Sequence, residues 1–282
     1  MTLRQFYTDS SSSLESVDVR TIIRQILGID GTRFVLDMDK EVPQEKLGIL
    51  QDSINRRKNG EPVAYITGQR GFYENIFKVS EDTLIPRADT EILVEDALNE
   101  LLKSFGPEDE IRILDICCGT GCIGISVAKA LSRSLKTVHL TLSDLSGKAL
   151  EVCRENVKTI IRESNIEVKI IQSDLFEDIE EQSFDAILSN PPYIKTDIIP
   201  TLEKQVRFEP ILALDGGEDG LDFIRVIAEQ AKDHLAPGGL LEMEIGYDQG
   251  KEATAILKNR NYREITIIRD LENCDRVVKA FN

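Results

Sequence analysis

A chain of 282 residues is long enough for two hydrophobic cores, and 41% hydrophobic with 30% charged residues is typical of a globular protein. No run approaches the ~18 apolar residues of a membrane-spanning helix, and the first ten residues lack the basic and then apolar pattern of a secretion signal. The five cysteines are an odd number and do not suggest a disulfide framework, so we expect a cytoplasmic protein without membrane contact.

The formal net charge of -16 is distributed unevenly along the chain. Residues 1–80 contain 11 Lys and Arg against 11 Asp and Glu, whereas residues 81–282 contain 23 against 39. Proteins that follow a phosphate backbone usually carry a basic stripe. The charge balance therefore weighs against stable, sequence-independent binding of nucleic acid.

Amphipathic patterns predict helices near the amino terminus. One helix is predicted to begin at Ser12, because Ser12 and Glu15 have capping-box spacing, and to stop at Gly28. A second is predicted over residues 43–59, from a proline that suits a first helical position to a glycine stop. We interpret residues 1–62 as a small helical domain that has no chemistry of its own and recognises a partner.

The pattern changes at residues 65–79, which are rich in aromatic and β-branched residues. This composition predicts a β-hairpin with its turn near Glu74 and Asn75. We interpret residues 63–82 as a hairpin linker between two domains. An amphipathic helix then extends to about Lys103.

Strand and helix patterns alternate from residue 111 onward. The predicted strands are residues 111–116, 138–142, 168–171, 184–189 and 240–244. The predicted helices are residues 123–131, residues 148–161, a helix ending near His234, and residues 249–259. This alternation predicts βαβ units and a parallel sheet with helices on both faces. Strands near 264–268 and 276–280 have no clear helix between them, so they predict a terminal antiparallel hairpin.

The loop after the first of these strands is rich in glycine. Gly119, Gly121 and Gly124 fit the G-x-G-x-x-G spacing of dinucleotide-binding loops, and glycine at this edge of an open sheet lets the backbone approach a ligand. Asp144 follows Gly124 by 20 residues, at the end of the second strand, where it can hold ribose hydroxyls. A nicotinamide oxidoreductase is therefore one interpretation.

Negative charge around the glycine loop favours a different cofactor. Asp115 and Asp144 flank the loop and would oppose a pyrophosphate, but they suit S-adenosylmethionine, whose sulfonium and amino groups are cationic. Asp174 follows the third strand, where it can accept from an adenine amino group while Leu175 packs on the ring. Acidic residues at three successive strand ends favour S-adenosylmethionine over a dinucleotide.

Three cysteines, Cys117, Cys118 and Cys122, are crowded into the same loop. Zinc needs four ligands, usually in paired spacing, and the other His and Cys residues do not complete such a set. We expect small, buried residues in a tight turn here and no metal.

The stretch Asn-Pro-Pro-Tyr, from Asn190 to Tyr193, follows another apolar strand. Pro191 restrains Asn190 to extended geometry, and neither Pro191 nor Pro192 has a backbone N–H. A carboxamide oxygen, a backbone carbonyl and a ring face together suit a planar NH2 group that is aimed at an electrophile. The stretch by itself is equally compatible with a simple loop breaker.

These motifs resemble the PrmC/HemK family of S-adenosylmethionine-dependent methyltransferases, which methylate the side-chain nitrogen of the glutamine in the Gly-Gly-Gln loop of peptide chain release factors. The resemblance covers nearly the whole length. It includes residues 65–68, 72–73, 84–87 and 89–91, the glycine loop, Asp144, and residues 190–193, 206–210, 214–217 and 219–220. Asn-Pro-Pro-Tyr alone is shared with adenine-N6 nucleic-acid methyltransferases, which are the main alternative.

The resemblance implies a fold and a set of contacts. The fold is α/β, with a class I (Rossmann-like) methyltransferase sheet over residues 83–282, mostly parallel with a terminal antiparallel hairpin, and a small N-terminal helical domain. The implied S-adenosylmethionine contacts are Cys117, Cys118, Gly119, Thr120, Gly121, Asp144, Asp174, Leu175 and Asn190. Two residues depart from the family pattern: Cys117 stands where many members have glycine, and Ala88 where many have proline.

The implied substrate site is Asn190, Pro191, Pro192 and Tyr193. We expect the Asn190 side-chain oxygen and the Pro191 carbonyl to accept the two amide hydrogens of the substrate glutamine, while Tyr193 packs against the amide plane. These three residues are the candidate catalytic residues. Class 1 release factors are the expected partners, and we expect a monomer; a binding protein that retains the fold without catalysis is a further alternative.

Overall fold

The computed structural model describes residues 1–180 and 183–282, which separate into two compact units. The first unit contains Met1–Gln69 and Leu202–Phe208, and the second contains Arg70–Thr201 and Glu209–Asn282. Residues 63–82, interpreted from the sequence as a linker, are divided between the two units. The sequence pattern carries no signal that assigns residues 202–208 to the first unit.

The first unit is a set of helices that share one core. Its helices are α1 (Leu3–Ser11), α2 (Ser16–Leu27), α3 (Gly31–Leu36), α4 (Gln44–Lys58) and α5 (Val63–Thr67). Phe6, Ile22, Ile23 and Leu50 are buried in this core. Ile22 and Ile23 of α2 therefore face inward, whereas Val17 of the same helix is exposed.

The first helix differs from the prediction. A capping box stabilises the amino terminus of α1. The Gln5 N–H donates to Thr2 Oγ1 at 3.2 Å, and the Thr2 N–H donates to Gln5 Oε1 at 2.9 Å. Ser12 is the C-cap of α1, so a helix start at Ser12 is wrong and α2 begins at Ser16. The predicted stop is confirmed, because Gly28 ends α2 with a left-handed φ of 66°.

The helix predicted over residues 43–59 is confirmed as α4, with its proline at the N-cap position. The short helices α3 and α5 were not predicted. Residues 65–67 belong to α5 and not to the hairpin, because Gly68 ends this helix with a left-handed φ of 72°.

The hairpin consists of β1 (Gln69–Phe72) and β2 (Asn75–Lys78), which form a separate two-stranded sheet. Tyr73 and Glu74 make the turn, both with positive φ. Phe72 and Phe77 are buried in a core of the second unit, where their rings meet edge to face at a centroid distance of 6.0 Å. The hairpin thus packs as part of the second unit.

The second unit is a sheet covered by helices. Its helices are α6 (Glu91–Ser104), α7 (Cys122–Leu131), α8 (Gly147–Ile160), α9 (Asp222–His234) and α10 (Gly250–Asn259). Its strands are β3 (Glu110–Ile116), β4 (Thr137–Asp144), β5 (Ile166–Gln172), β6 (Phe184–Ser189), β7 (Leu235–Glu244), β8 (Arg263–Arg269) and β9 (Asp275–Phe281). Each strand and helix predicted after residue 83 has a counterpart, with ends that shift by a few residues.

The strand order is β5-β4-β3-β6-β7-β9-β8. The strands from β5 to β7 are parallel, whereas β9 pairs antiparallel with both β7 and β8. The mostly parallel sheet and its terminal antiparallel hairpin are therefore confirmed. The hairpin joins the sheet through its second strand, which the sequence order alone does not reveal.

Two buried layers hold this sheet. Side chains from α6, α7 and α8 pack into one layer, and side chains from α9 and α10 pack into the other. Helices on both faces leave the carboxyl edge of the parallel strands as the place where loops can build a site. Within the described residues, no helix is both long enough and apolar enough to cross a membrane.

Candidate active site

Three segments leave the sheet side by side where its strand order reverses. The crevice at such a switch point is the usual ligand site of open α/β sheets. Ile116 at the end of β3 pairs with Ser143 of β4 and with Ser189 of β6. The glycine loop, Asp144 and Asn190 each follow one of these paired residues, so the register brings them to one edge.

The cleft at this edge contains about 980 Å³ of empty space, which includes space open to solvent. Its charged lining residues are Asp82, Arg87, Asp144 and Asp174. Three carboxylates thus face one guanidinium, an arrangement that favours a ligand carrying positive charge and disfavours a pyrophosphate.

Left-handed residues shape the loop between β3 and α7. Cys117, Gly119 and Gly121 have φ angles of 59°, 52° and 77°. This conformation costs a residue with a side chain roughly 1–2 kcal/mol, so Cys117 is strained at a position where glycine would not be. A Cβ on Gly121 would lie 2.9 Å from Cys153 Sγ, so this part of the loop has no room for a side chain.

Asn156 fixes the same loop from α8. It is fully buried, and its Nδ2 donates to the Thr120 carbonyl at 3.0 Å and to the Lys78 carbonyl at 3.1 Å. Its Oδ1 accepts from the Lys78 N–H at 2.7 Å. One carboxamide therefore joins β2, α8 and the glycine loop.

Asp144 holds the glycine loop through a backbone hydrogen bond. Its Oδ2 accepts from the Gly119 N–H and its Oδ1 from the Ser146 N–H, both at 2.8 Å. Burial raises the pKa of Asp144, while these two backbone donors lower it. A carboxylate has about four acceptor positions, so two remain for hydroxyls of a ligand in the cleft.

Asp115 has a different position from Asp144. It is fully buried, does not line the cleft, and accepts the Gly124 N–H at 2.8 Å in the first turn of α7. Burial raises the pKa of Asp115 to about 7, the Gly124 N–H lowers it, and the charge of Asp144 raises it further. Asp115 therefore stabilises the loop and the start of α7 without lining the cleft.

Asp174 and Leu175 both line the cleft just beyond β5. Asp174 is exposed, and Leu175 has a left-handed φ of 49°. The Ser173 hydroxyl donates to the Leu175 carbonyl at 2.9 Å and accepts from the Asp178 N–H at 2.9 Å. These bonds hold the turn that presents an acceptor and an apolar side chain to the cleft.

The Asn-Pro-Pro-Tyr stretch is only partly in contact with the cleft. Asn190 and Pro192 line it, whereas Pro191 and Tyr193 do not. The Asn190 Nδ2 donates to Thr90 Oγ1 at 3.4 Å, which turns the acceptor end of the carboxamide away from Thr90. The Tyr193 hydroxyl donates to Glu244 Oε1 at 3.1 Å.

The backbone of this stretch is held by the glycine-rich segment at residues 214–220. Gln249 Nε2 donates to the carbonyls of Tyr193 and Gly220, both at 3.0 Å. A Cβ on Gly216 would lie 2.7 Å from the Tyr193 Cα. The segment approaches so closely that a side chain at Gly216 would displace the turn.

An ion pair fixes the wall formed by residues 84–87. Glu209 is buried, accepts the Ile85 N–H at 3.0 Å and forms a salt bridge with Arg87. Arg87 and Glu209 both lie in motifs that carry the resemblance, but their pairing across 122 positions was not foreseen. Ala88, the second departure from the family pattern, is exposed and does not line the cleft.

Two further residues beside the site, Thr90 and Glu244, received no role from the sequence. Both are almost completely buried. The available signal was Glu244 itself, a carboxylate in a strand pattern that is otherwise largely apolar. Buried carboxylates are uncommon without a partner, so such a residue points to a hydrogen-bonded site.

The loop cysteines are uncharged thiols. Burial raises the pKa of Cys117, Cys118 and Cys122 above the ordinary range. All five cysteines of the chain are free. In residues 1–180 and 183–282, no group of three or more His, Cys, Asp or Glu is arranged to hold a metal ion.

Two family profiles match this chain. Residues 3–68 match the PrmC N-terminal domain, and residues 92–203 match the methyltransferase small domain. A crystal structure of a methyltransferase from Pyrococcus furiosus aligns with a TM-score of 0.50 and 18% identity, over 82% of this chain and 96% of that chain. At this identity the likeness concerns the fold alone, and it agrees with the predicted class I methyltransferase sheet, which is confirmed.

Sequence relatives extend the match over nearly the full length. The chain is 36% identical over 271 residues to the release factor glutamine methyltransferase of Caulobacter vibrioides, covering 96% of this chain and 90% of that protein. It is 39% identical over 267 residues to the release factor glutamine methyltransferase of Clostridium acetobutylicum, covering 93% and 90%. Together with the N-terminal and catalytic domain matches, these similarities place the chain in the family of release factor glutamine methyltransferases.

Proposed function

We propose that this protein transfers a methyl group from S-adenosylmethionine to the side-chain amide nitrogen (N5) of the glutamine in the Gly-Gly-Gln motif of class 1 peptide chain release factors. Family membership supports the reaction. The observation that carries the proposal is the Asn190 carboxamide, held at the switch point of the sheet with its donor end on Thr90.

The residues of the cleft fit S-adenosylmethionine. Asp144 retains two acceptor positions for ribose hydroxyls, and Asp174 with Leu175 offers an acceptor and an apolar face for a base. The other proposed contacts are Cys117, Cys118, Gly119, Thr120 and Gly121 of the loop, and Asn190. When bound there, S-adenosylmethionine supplies an electrophilic methyl group on a sulfonium.

The glycine loop argues against a nicotinamide cofactor despite its G-x-G-x-x-G spacing. The Gly119 N–H, which could donate to a phosphate, already donates to the Asp144 carboxylate at 2.8 Å. A pyrophosphate at this loop would lie against that negative charge. Gly124 is buried against β3 and β4, where its role is packing.

In the proposed reaction, Asn190 and Pro191 orient the substrate. An amide nitrogen is a poor nucleophile because its lone pair is delocalised into the carbonyl. Asn190 Oδ1 and the Pro191 carbonyl accept its two hydrogens, aim the nitrogen at the methyl group, and stabilise positive charge that develops on nitrogen. In this proposal Tyr193, whose hydroxyl donates to Glu244, packs its partly buried ring against the amide plane.

No general base is required before methyl transfer. The amide N–H becomes acidic only as the nitrogen acquires its fourth substituent, so the proton leaves late and passes to water. Asn190 and Pro191 bind and orient the amide without accepting a proton themselves. We further propose that the protein acts as a monomer in the cytoplasm and that its N-terminal helical unit recognises the release factor.

The main competing function is methylation of adenine N6 in nucleic acid, since an exocyclic amine fits the same two acceptors after base flipping. The net charge of -16 opposes it, because nucleic-acid backbones are recognised through positive charge.

Labelled S-adenosylmethionine separates these functions. The protein is incubated with a class 1 release factor, with the same factor in which the Gly-Gly-Gln glutamine is replaced by alanine, and with DNA or RNA. We expect label on the first release factor only. Label on nucleic acid, or equal label on the glutamine-to-alanine factor, would overturn the proposed function.

A further inference from the structure

Exposed hydrophobic side chains of the second unit are concentrated at the carboxyl edge of the sheet. Among the residues that the structure describes, nine large hydrophobic residues of this unit are exposed. Six of them lie in loops that follow β4, β6, β7 and β8, which all end at this edge: Leu145, Ile198, Ile211, Leu212, Tyr247 and Leu271. Single exposed hydrophobic residues are normal, but their accumulation beside a cleft indicates a surface that another molecule covers.

Ile211 and Leu212 lie next to the candidate active site. They are the first two residues of a 3-10 turn, Ile211–Ala213, and are 66% and 50% exposed. Leu212 lines the cleft together with Asn190 and Pro192, whereas Ile211 does not line it. The two side chains therefore form an apolar rim that extends from the inside of the cleft to the surface beside it.

The backbone of the apolar rim is anchored on both sides. Before it, Glu209 is buried and pairs with Arg87. After it, the Leu214 carbonyl accepts from the Ile194 N–H at 2.9 Å, and the Leu214 side chain is 4% exposed. Ile194 directly follows Tyr193, so the rim is held in a fixed position relative to the Asn-Pro-Pro-Tyr stretch.

The turn itself is closed by backbone hydrogen bonds. The N–H groups of Leu214 and Asp215 both donate to the Ile211 carbonyl at 2.9 Å, and the Ala213 N–H donates to the Pro210 carbonyl at 2.9 Å. Moving the Ile211 side chain into the protein would require these bonds to break. A partner, and not a rearrangement of the turn, is therefore what can remove Ile211 from water.

The charges beside the rim favour a polypeptide over nucleic acid as the partner. The cleft is lined by three carboxylates and one guanidinium, and this guanidinium, of Arg87, is already paired with Glu209. Asp215 lies close to the rim, since its N–H donates to the Ile211 carbonyl. A phosphate backbone would meet negative charge here, whereas apolar groups of a polypeptide can cover Ile211 without desolvating a charge.

The position of the rim indicates which part of the partner covers it. A substrate glutamine whose amide reaches Asn190 brings the neighbouring residues of its chain to the entrance of the cleft. Leu212 shares the cleft with Asn190, and Ile211 lies outside it. In a Gly-Gly-Gln motif the two glycines carry no side chains, so their backbone can approach an apolar surface closely.

We propose that the apolar rim of Ile211 and Leu212 docks the segment of the release factor that flanks the target glutamine. This inference rests on the proposed function. Ile211 contributes to binding of the protein substrate, whereas cofactor binding and methyl transfer depend on residues inside the cleft. Ile211 is in this way a specificity-determining residue that favours a glutamine carried by a polypeptide.

Ile211→Ser tests the inference in the release factor assay, with kcat, KM for the release factor and the dissociation constant of S-adenosylmethionine measured for the full chain. The substitution removes apolar surface at a largely exposed position, so the fold should be retained. We expect KM to rise about tenfold, which corresponds to about 1.4 kcal/mol, while kcat and the dissociation constant stay within about twofold of wild type. A rise in KM alone identifies a loss of substrate binding that the transition state shares.

Two further variants separate docking from general effects of substitution. Ile211→Leu keeps the apolar surface, so its KM should stay within about threefold of wild type. Leu102→Ser makes the same kind of change on α6, where Leu102 is 46% exposed and does not line the cleft. Its KM should equal that of wild type.

Photo-crosslinking locates the docked segment. A benzophenone amino acid in place of Ile211 should crosslink the release factor within the peptide that contains the Gly-Gly-Gln motif, as identified by mass spectrometry. The same group in place of Leu102 should not crosslink this peptide. Absence of a crosslink from the Ile211 position, or a crosslink only to a distant part of the release factor, overturns the inference.

Two kinetic results also overturn the inference. One is a KM for Ile211→Ser equal to that of wild type. The other is a rise in KM that Ile211→Leu or Leu102→Ser shares, or that is matched by an equal loss of cofactor affinity. A wild-type protein that labels no release factor overturns the proposed function itself and the inference with it, and this result distinguishes the two failures.

Discussion

Asn190 is the side chain whose removal should affect the proposed chemistry most directly. Asn190→Ala deletes the acceptor but leaves the two prolines and the cofactor loop in place. Loss of one oriented hydrogen-bonding group in a transition state typically costs about 10²–10³ in rate. We expect kcat on release factor to fall by at least that factor, while calorimetry gives an S-adenosylmethionine affinity within about tenfold of wild type.

Asn99→Ala is a matched control, since Asn99 is an exposed asparagine of α6 that does not line the cleft. Its kcat should equal that of wild type. A near wild-type rate for Asn190→Ala would contradict the proposed mechanism.

Asp144 should affect cofactor binding and not the methyl-transfer step. Asp144→Asn removes the charge and can keep only one of the two backbone bonds to Gly119 and Ser146. Hydrogen bonds to charged groups contribute about 1.5–3 kcal/mol, so S-adenosylmethionine should bind at least about tenfold more weakly. Calorimetry measures the change directly.

Asp82→Asn is the comparison for Asp144, because Asp82 also lines the cleft but pairs with Lys148 at 3.2 Å. Asp82→Asn makes the same change of charge without touching the glycine loop. We therefore expect it to weaken S-adenosylmethionine binding less than Asp144→Asn does. If Asp144→Asn binds as tightly as wild type, Asp144 does not belong to the cofactor site.

Single residues show where sequence reasoning stops at this scale. The sequence indicated that Asp115 and Asp144 flank the loop alike, but Asp144 lines the cleft and Asp115 is fully buried beneath it. Residue type predicts that a carboxylate can hold a cation or a helix N-terminus. Which of the two it does depends on strand pleat and on the helix that packs above, neither of which is a local property.

At the scale of elements, Gly124 sets how closely α7 approaches the sheet. A Cβ at this position would lie 2.8 Å from Leu142 Cδ2, 2.9 Å from Asp115 Cβ and 2.9 Å from Leu140 Cδ1. Gly124→Ala must therefore push the helix away from β3 and β4. We expect a loss of about 1–3 kcal/mol in the free energy of unfolding, measured by denaturant titration of the second unit.

Gly71→Ala is the control for Gly124→Ala, because a Cβ at Gly71 of β1 would meet nothing within 4 Å. It should change the free energy of unfolding by less than about 0.5 kcal/mol. Equal effects of the two substitutions would mean that the helix has room to accommodate a methyl group, and that close packing does not explain the third glycine of the loop.

Elements were predictable where their periodicity is strong and local. The strands of the parallel sheet have apolar runs or an apolar alternation, and α8 has a clear apolar face, whereas α4 was predicted from its flanking proline and glycine. The predicted start of α2 was wrong because Ser12 and Glu15 have the spacing of a capping box without forming one. The capping box that does form lies at Thr2 and Gln5. Strand order and the contact of Thr90 with Asn190, 100 positions apart, depend on register and could not be read from the sequence.

For the whole molecule, the formal charge of -16 counts every carboxylate as ionised. The fold changes this, because Asp115, Glu242 and Glu244 are buried at the sheet and burial raises the pKa of each. The acidic surplus seen in residues 81–282 is therefore partly internal. Internal carboxylates bear on stability more than on the choice of partner.

Glu242 has the strongest consequence for stability. It is fully buried in β7, and its neighbour Lys279 lies 2.7 Å from Asp96 Oδ2 and 2.9 Å from Glu100 Oε1. Burial raises the pKa of Glu242 well above the ordinary range, and Asp96 and Glu100 raise it further, while Lys279 lowers it. One lysine is shared among three carboxyl groups, so the neutral form of Glu242 fits this site best.

The free energy of unfolding should therefore depend on pH through Glu242. A carboxyl whose pKa is higher in the folded state stabilises the fold fully below its unfolded pKa of about 4.3, and this contribution is lost as pH rises through the folded pKa. Glu242→Gln, which is always neutral, should melt progressively higher than wild type as pH increases from about 5 to 8, by roughly 2–4 °C for each kcal/mol. Glu177 is exposed, so the Glu177→Gln variant should melt at the same temperature as wild type at each pH. A Glu242→Gln difference that stays constant across this range would mean that Glu242 is ionised in the folded protein, as it is in the unfolded chain.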